Sequence, residues 1–148
     1  MQKSQFNNLV DEGYNHIPLS REVVVDTDTP LALFLKLANT PFSYFLESVQ
    51  GGEKWGRYSF IGLSAETVIK VNNYEVSIEK NGNLHKKYNV EDPLDWIEHY
   101  QAQFKVPQLE NLPDFNGGLV GYFGYEIIRY IEPKLKNIVK KDELNVPD

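Results

Sequence analysis

The chain has 148 residues, one domain's worth, enough to bury roughly two-thirds of the surface exposed by its unfolded form. Hydrophobic residues make up 41% and charged residues 24%, the balance of an ordinary soluble globular domain. The net charge of −6 argues against a sequence-independent nucleic-acid binder, and the lack of cysteine removes disulfides, thiolate chemistry and thiolate metal sites.

No apolar run approaches the ~20 residues of a membrane span. The opening stretch MQKSQFNNLVDEGYN lacks the apolar centre of a secretory signal. The expectation is a cytoplasmic protein with neither a nucleic-acid nor a membrane partner.

In chain order, Gln5 to Glu12 reads as a short helix, with Phe6, Leu9 and Val10 at helical spacing and Gly13 as its stop. The β-branched run Glu22-Val23-Val24-Val25 reads as a strand. Asp26 to Pro30 starts a helix: Thr29 caps it and Pro30 suits its first position. Leu31, Phe34, Leu35 and Ala38 share one face, broadened by Leu33 and Leu37, so this helix is expected to be buried.

After Gly62, Thr67 to Val71 reads as a strand and Asn72-Asn73 as a turn. Tyr74 to Lys80 alternates, with Tyr74, Val76 and Ile78 on one face. Asn81-Gly82 is a strong hairpin signal, and Leu84 to Tyr88 returns with Lys86 and Lys87 outward or on an edge. Asp92-Pro93 begins a further helix carrying Leu94, Ile97, Gln101 and Phe104 on one stripe. Trp96 and Tyr100 flank that stripe as core packing. Lys105 to Asn116, with Pro107 and Pro113, reads as a surface connection.

Two stretches carry more than structure. Ser43 to Gly62, SYFLESVQGGEKWGRYSFIG, holds two β-prone runs around Gly51-Gly52 and reads as a β-hairpin with a long loop. Gly56 marks a bulge or a close backbone approach. Glu47 beside Ser48 is out of place in a core strand, because a buried carboxylate is costly unless paired. One reading is an ion pair of Glu47 with Lys54 or Arg57 at the hairpin mouth. The other is a pocket for a zwitterion: Glu47 takes an ammonium, Ser48 supplies a hydroxyl, Lys54 or Arg57 takes a carboxylate, and aromatics form the walls.

Gly117 to Glu126, GGLVGYFGYE, has the wrong glycine spacing for a dinucleotide fingerprint. It reads as a glycine-rich strand that lets a backbone or ligand lie close, passing into a short helix at Tyr125 to Ile131 that Pro133 stops. The three histidines, His16, His85 and His99, lie far apart in no metal-ligand or triad spacing, and His99 is expected on a solvated helix face. No P-loop, nucleophile elbow or paired-carboxylate motif occurs.

The LES run followed by GGEKWGRYSFIG closely resembles the N-terminal region of the anthranilate synthase component I family, which makes anthranilate from chorismate in tryptophan biosynthesis. The resemblance covers the chain from about Tyr14 onward, and GGLVGYFGYE shares it, as part of the sheet around an effector pocket. It implies an L-tryptophan inhibitor site. The family's LES motif carries onto Leu46, Glu47 and Ser48, with Ser48 foremost; Lys54, Arg57, Tyr58 and Ser59 are secondary, since hairpin packing is an alternative use for them.

The family's general acid and base, and the carboxylates that hold magnesium, lie in a large C-terminal chorismate-binding region with no counterpart in this sequence. The resemblance therefore implies a regulatory segment, residues 1–148, without catalytic residues, metal ligands or cofactor of its own and inactive alone. It implies Mg2+ only for the catalytic part, and a glutamine amidotransferase subunit, component II, as partner of the complete enzyme. Asp142 to Asp148 resembles a segment that in the family runs on into another strand, so the chain is expected to be cut before its catalytic half. Surface left uncovered would also allow a homodimer.

Two alternatives remain at this point. One is the related aminodeoxychorismate synthase component I of folate synthesis. The other is a stand-alone binding module without an enzymatic parent. The fold class expected for all of these is α+β, an antiparallel sheet built from hairpins with about three packed helices, joined in the family to a larger sandwich of sheets and helices.

Overall fold

A computed structural model describes residues 1–47, 58–110, 112–113, 115–135 and 146–148. In chain order these form α1 (Lys3–Asp11), α2 (Pro30–Leu37), β1 (Tyr44–Glu47), β2 (Ser59–Gly62), β3 (Thr67–Asn72), β4 (Glu75–Lys80), β5 (Asn83–Asn89), α3 (Pro93–Ala102) and α4 (Ile128–Ile131). Short 3-10 turns at Tyr125–Ile127 and Pro133–Leu135 flank α4. Two antiparallel sheets, β1-β2 and β3-β4-β5, with these helices make the α+β fold that the sequence predicts. The chain divides into two compact units, one of Val23–Lys70 with Ser77–Lys87, the other of Met1–Glu22 with Val71–Val76 and Tyr88–Asp148.

In the first unit, the Thr29 hydroxyl accepts from the Ala32 N–H at 3.1 Å, and Pro30 occupies the first turn of α2, as the cap signal predicts. Lys36 pairs with Asp28 at 2.6 Å. Phe34 stacks on Phe45 of β1 with ring centroids 5.5 Å apart, which fastens the helix to the β1–β2 hairpin. The hairpin register sets Tyr44 opposite Gly62, Phe45 opposite Ile61, Leu46 opposite Phe60 and Glu47 opposite Ser59. The Tyr44 ring lies in the space that a Gly62 side chain would fill, so Gly62 is required by its cross-strand neighbour.

The β4–β5 turn is the one its sequence demands: Asn81 and Gly82 both take positive φ, +49° and +76°. Lys70 and Glu79 pair across β3 and β4 at 2.7 Å. Val76 and Ile78 are buried, and β5, an edge strand, carries its exposed lysines outward.

Three expectations are corrected. Glu22 to Val25 is not a strand: the run joins no ladder, and Val24 is 81% exposed. β-branched residues favour a pleated, half-buried surface but create no strand without a pairing partner. The helix α2 is not buried either. Its Phe34 side meets the hairpin, while Leu31, Leu35 and Leu37 are each more than half exposed. Gly117 to Gly124 is likewise outside any ladder among the described residues.

In the second unit, α1 ends at Gly13, which takes φ +90°. Asn15 then ties this end to the chain after α3: its amide donates to the Gln103 carbonyl at 2.7 Å, and its side-chain oxygen accepts from the Lys105 N–H at 2.7 Å. Asp92 caps α3 by accepting from Leu94 and Asp95. The aromatics expected as packing do pack, in a row: Tyr88 on Trp96 at 5.4 Å, Trp96 on Tyr100 at 5.3 Å, Tyr100 on Phe104 at 5.3 Å, then Phe104 on His16 at 4.6 Å. His99 is exposed as expected. Its hydrogen bond to the Asp95 backbone carbonyl, then the Asp95 carboxylate, raises its pKa.

The chain end at Val146–Asp148 is held on the β3–β4 turn. The Asp148 N–H donates to the Val71 carbonyl at 2.8 Å, and its carboxylate accepts from the Asn73 N–H at 2.7 Å. The Tyr130 hydroxyl faces the same carboxylate and also the Asn73 carbonyl at 2.5 Å, and its ring meets Tyr74 edge-on at 5.6 Å. Burial first, then the hydrogen bond to Asp148 and its charge, raise the Tyr130 pKa well above the ordinary tyrosine value.

Substituting Gly62→Ala should displace the Tyr44 ring and lower unfolding stability by about 1–3 kcal/mol. Gly121→Ala, with open space around it, should change stability by less than about 0.5 kcal/mol, both read by denaturant unfolding. Because the Tyr130 pKa is raised on folding, the stability held by its neutral hydroxyl is fully present below about pH 10 and is lost as pH rises through the folded value. Spectrophotometric titration at tyrosinate wavelengths should therefore show a late-ionising tyrosine that is missing in Tyr130→Phe.

Candidate functional site

The candidate site is the β1–β2 hairpin, because the sequence concentrates its polar, chemistry-bearing side chains there. Leu46 and Glu47 end β1, Tyr58 precedes β2, and Ser59 opens it. Ser48, Lys54 and Arg57 lie outside the described residues, as do Trp55 and Gly56.

Side chains alternate across a strand, so the register sorts the site into two faces. Glu47 and Ser59 stand opposite each other on the face that also carries Phe45 and Ile61, where Phe34 of α2 packs. Leu46 and Phe60 stand opposite each other on the other face. Tyr58 belongs with them, since its ring stacks on Phe60 at 6.2 Å and an interplanar angle of 25°. The structure thus brings together Glu47 with Ser59, and separately Leu46 with Tyr58. It does not put all four in one cluster.

The Ser59 hydroxyl donates to a Glu47 carboxylate oxygen at 3.3 Å. This is a long, exposed hydrogen bond and holds the carboxylate only loosely. Among the described residues no ion pair includes Glu47. A carboxylate so placed is open to a cationic group, and the Leu46, Tyr58 and Phe60 side chains offer an apolar, aromatic surface on the opposite face. Leu46 is 49% exposed and Tyr58 61%. Phe60 is the member of this patch that the sequence reading did not single out. The signal was present, since alternation from Tyr58 puts Phe60 on the same face.

Among the described residues no group of three or more His, Asp or Glu side chains is placed to hold a metal ion. No helix among them is long and apolar enough to cross a membrane.

Comparison with known proteins gives a consistent pattern. The chain is similar along all of its 148 residues, at 52% identity, to anthranilate synthase component 1 of Pseudomonas putida, of which it covers 30%. It is 47% identical over 149 aligned positions to anthranilate synthase component 1 of Neisseria meningitidis serogroup B, covering 99% of this chain and 30% of that protein. It is 40% identical over 141 positions to the protein of the same name in Acetivibrio thermocellus, covering 95% of this chain and 28% of that one. The matched part is the N-terminal part of these relatives, so the chain spans about 30% of their length. No family model matches the chain, and no solved structure matches it.

Because the Glu47–Ser59 contact is long and exposed, Ser59→Ala should alter unfolding stability by less than about 0.5 kcal/mol in thermal or denaturant melts. A loss of ligand binding in that variant is then a statement about the site, not about the fold.

Proposed function

We infer that this chain, a homologue of the N-terminal part of anthranilate synthase component 1, is the regulatory segment of that enzyme and carries part of an L-tryptophan inhibitor site on the β1–β2 hairpin. The observation that carries this reading is the similarity at 52% identity along the whole chain, with the matched relatives bearing that name. None of the relatives named above is an aminodeoxychorismate synthase, and a stand-alone binding module leaves the full-length match unexplained.

In this reading the complete protein converts chorismate and ammonia, or glutamine, to anthranilate. Ammonia reaches it from a glutamine amidotransferase subunit, component 2, and the catalytic groups and magnesium belong to the part beyond this segment. L-Tryptophan is an aromatic zwitterion. Glu47 supplies a negative charge for its ammonium, and the Ser59 hydroxyl makes only a long, loose contact with that carboxylate. Ser48, which follows Glu47 in the sequence, is assigned to the same site, and Lys54 and Arg57 are assigned as the positive charge for the carboxylate. Leu46 and Tyr58 stand on the other face of the hairpin and lie outside this contact. Tryptophan inhibits by binding one conformation of the complete enzyme more tightly than another, since a ligand with equal affinity for both shifts nothing.

Two substitutions in the full-length protein test the assignment. Ser48→Phe should fill the site and remove tryptophan inhibition while anthranilate is still made; an unchanged inhibition curve excludes Ser48 from the site. Glu47→Gln should weaken tryptophan binding by about 1–3 kcal/mol, as loss of a charged hydrogen-bond partner does. An unaltered inhibition constant would assign Glu47 to the hairpin alone.

A further inference from the structure

The turn that leads into β1 is strained, and it is held from outside. Among the described residues Phe42 is the only one other than glycine or asparagine with a positive φ, +59°. A bulky side chain disfavours that conformation, so its neighbours must over-determine it. The turn runs from Thr40 to Ser43. The Ser43 N–H donates to the Thr40 carbonyl at 3.3 Å, and the Ser43 hydroxyl donates to the same oxygen at 2.6 Å. The next two carbonyls are both taken by the chain that leaves β2. The Ser64 hydroxyl donates to the Pro41 carbonyl at 2.8 Å, and the Ala65 N–H donates to the Phe42 carbonyl at 3.0 Å. The Lys70 ammonium stands 5.7 Å from the centre of the Phe42 ring.

These bonds are out of step with the ladder beside them. Continued regularly, the register that pairs Tyr44 with Gly62 would set Phe42 opposite Ser64. Ala65, one residue further on, makes the backbone bond instead. An extra residue on one side acts as a β-bulge does: it ends regular pairing and pins the register. β1 and β2 have four residues each, and a two-stranded ladder that short is marginal by itself. The Tyr44 ring can leave Gly62 by turning about its own side-chain bonds. The tie between Phe42 and Ala65 is made by backbone groups and has no such freedom. Sliding β2 by one residue would take the Ala65 N–H from Phe42 and the Ser64 hydroxyl from Pro41 together.

We propose that the Thr40–Ser43 turn, bound to Ser64 and Ala65, is a register clamp that sets where Glu47 stands for the effector, on the premise of the effector site inferred above. Glu47 lies five residues after Phe42, and Ser59 lies five residues before Ser64. Both sides of the Glu47–Ser59 pair are therefore fixed from this end of the hairpin. Phe42 acts through its backbone conformation, which sets its own carbonyl on Ala65 beside the Pro41 carbonyl on Ser64. Phe42 and Ser64 are positioning residues and touch no ligand.

The test uses the full-length protein with substitutions at both positions. Ser64→Ala removes the hydroxyl and Ser64→Thr keeps it. Phe42→Val disfavours the positive φ, whereas Phe42→Asn permits it without the ring. The readouts are the L-tryptophan Kd from calorimetry, kcat/KM for chorismate without tryptophan, and hydrogen exchange of peptides covering β1, β2 and β4. In Ser64→Ala and Phe42→Val the Kd should rise by about fivefold or more, and β1 and β2 should exchange about tenfold faster while β4 is unchanged. Ser64→Thr and Phe42→Asn should keep the Kd within about threefold of wild type, and kcat/KM should stay within about twofold in every variant. A Kd within about threefold of wild type in Ser64→Ala and Phe42→Val overturns the clamp. So does an equal acceleration of β4, which marks general loosening, or a Phe42→Asn protein as impaired as Phe42→Val. A wild-type protein that does not bind tryptophan overturns the effector reading, and the exchange of β1 and β2 against β4 then decides the clamp by itself.

Discussion

The register of the β1–β2 ladder is the constraint on which the candidate site depends. With Glu47 opposite Ser59 and Leu46 opposite Phe60, polar and apolar groups are assigned to opposite faces by strand geometry alone. A slip of one residue would exchange the faces and put Glu47 with the aromatics. The Tyr44–Gly62 pair guards against that slip, because the Tyr44 ring fits only over a residue without a side chain. The Phe34–Phe45 stack then fixes which face α2 covers. Local packing thus determines where the carboxylate of Glu47 stands before any ligand is considered.

The packing leaves apolar side chains of the first unit in solvent. The helix α2 is apolar on nearly every side, a pattern suited to a position between two layers, and the hairpin supplies one of them. Leu31, Leu35 and Leu37 on its remaining surface, together with Val23 and Val24, stand in solvent. The chain spans about 30% of the length of relatives such as the Pseudomonas putida protein, in which this part is followed by a much longer one.

Much of the fold was legible because the decisive signals were local. Thr29-Pro30 and Asp92-Pro93 start helices for reasons contained in a single turn, and Asn81-Gly82 meets a demand for positive φ that few residue pairs can satisfy. The misread elements are those whose state depends on distant partners. Val23 to Val25 has strand chemistry but no ladder, and the burial of α2 turns on how many layers enclose it. The contacts of Asp148 were not legible at all, since they join it to Tyr130 and Asn73, 18 and 75 residues away in the sequence. At the site, the hairpin followed from the pattern around Gly51-Gly52, but the pairing of Glu47 with Ser59 did not. The separation of Leu46 and Tyr58 onto the other face required the register.

The most direct measurement is a calorimetric titration of L-tryptophan into the full-length protein, with L-phenylalanine and chorismate as parallel ligands. Tryptophan should bind saturably, phenylalanine should not reproduce that binding, and it should weaken when Glu47 loses its charge. Equal heats for tryptophan and phenylalanine, or no heat for either, would contradict it and leave the β1–β2 hairpin a purely structural element.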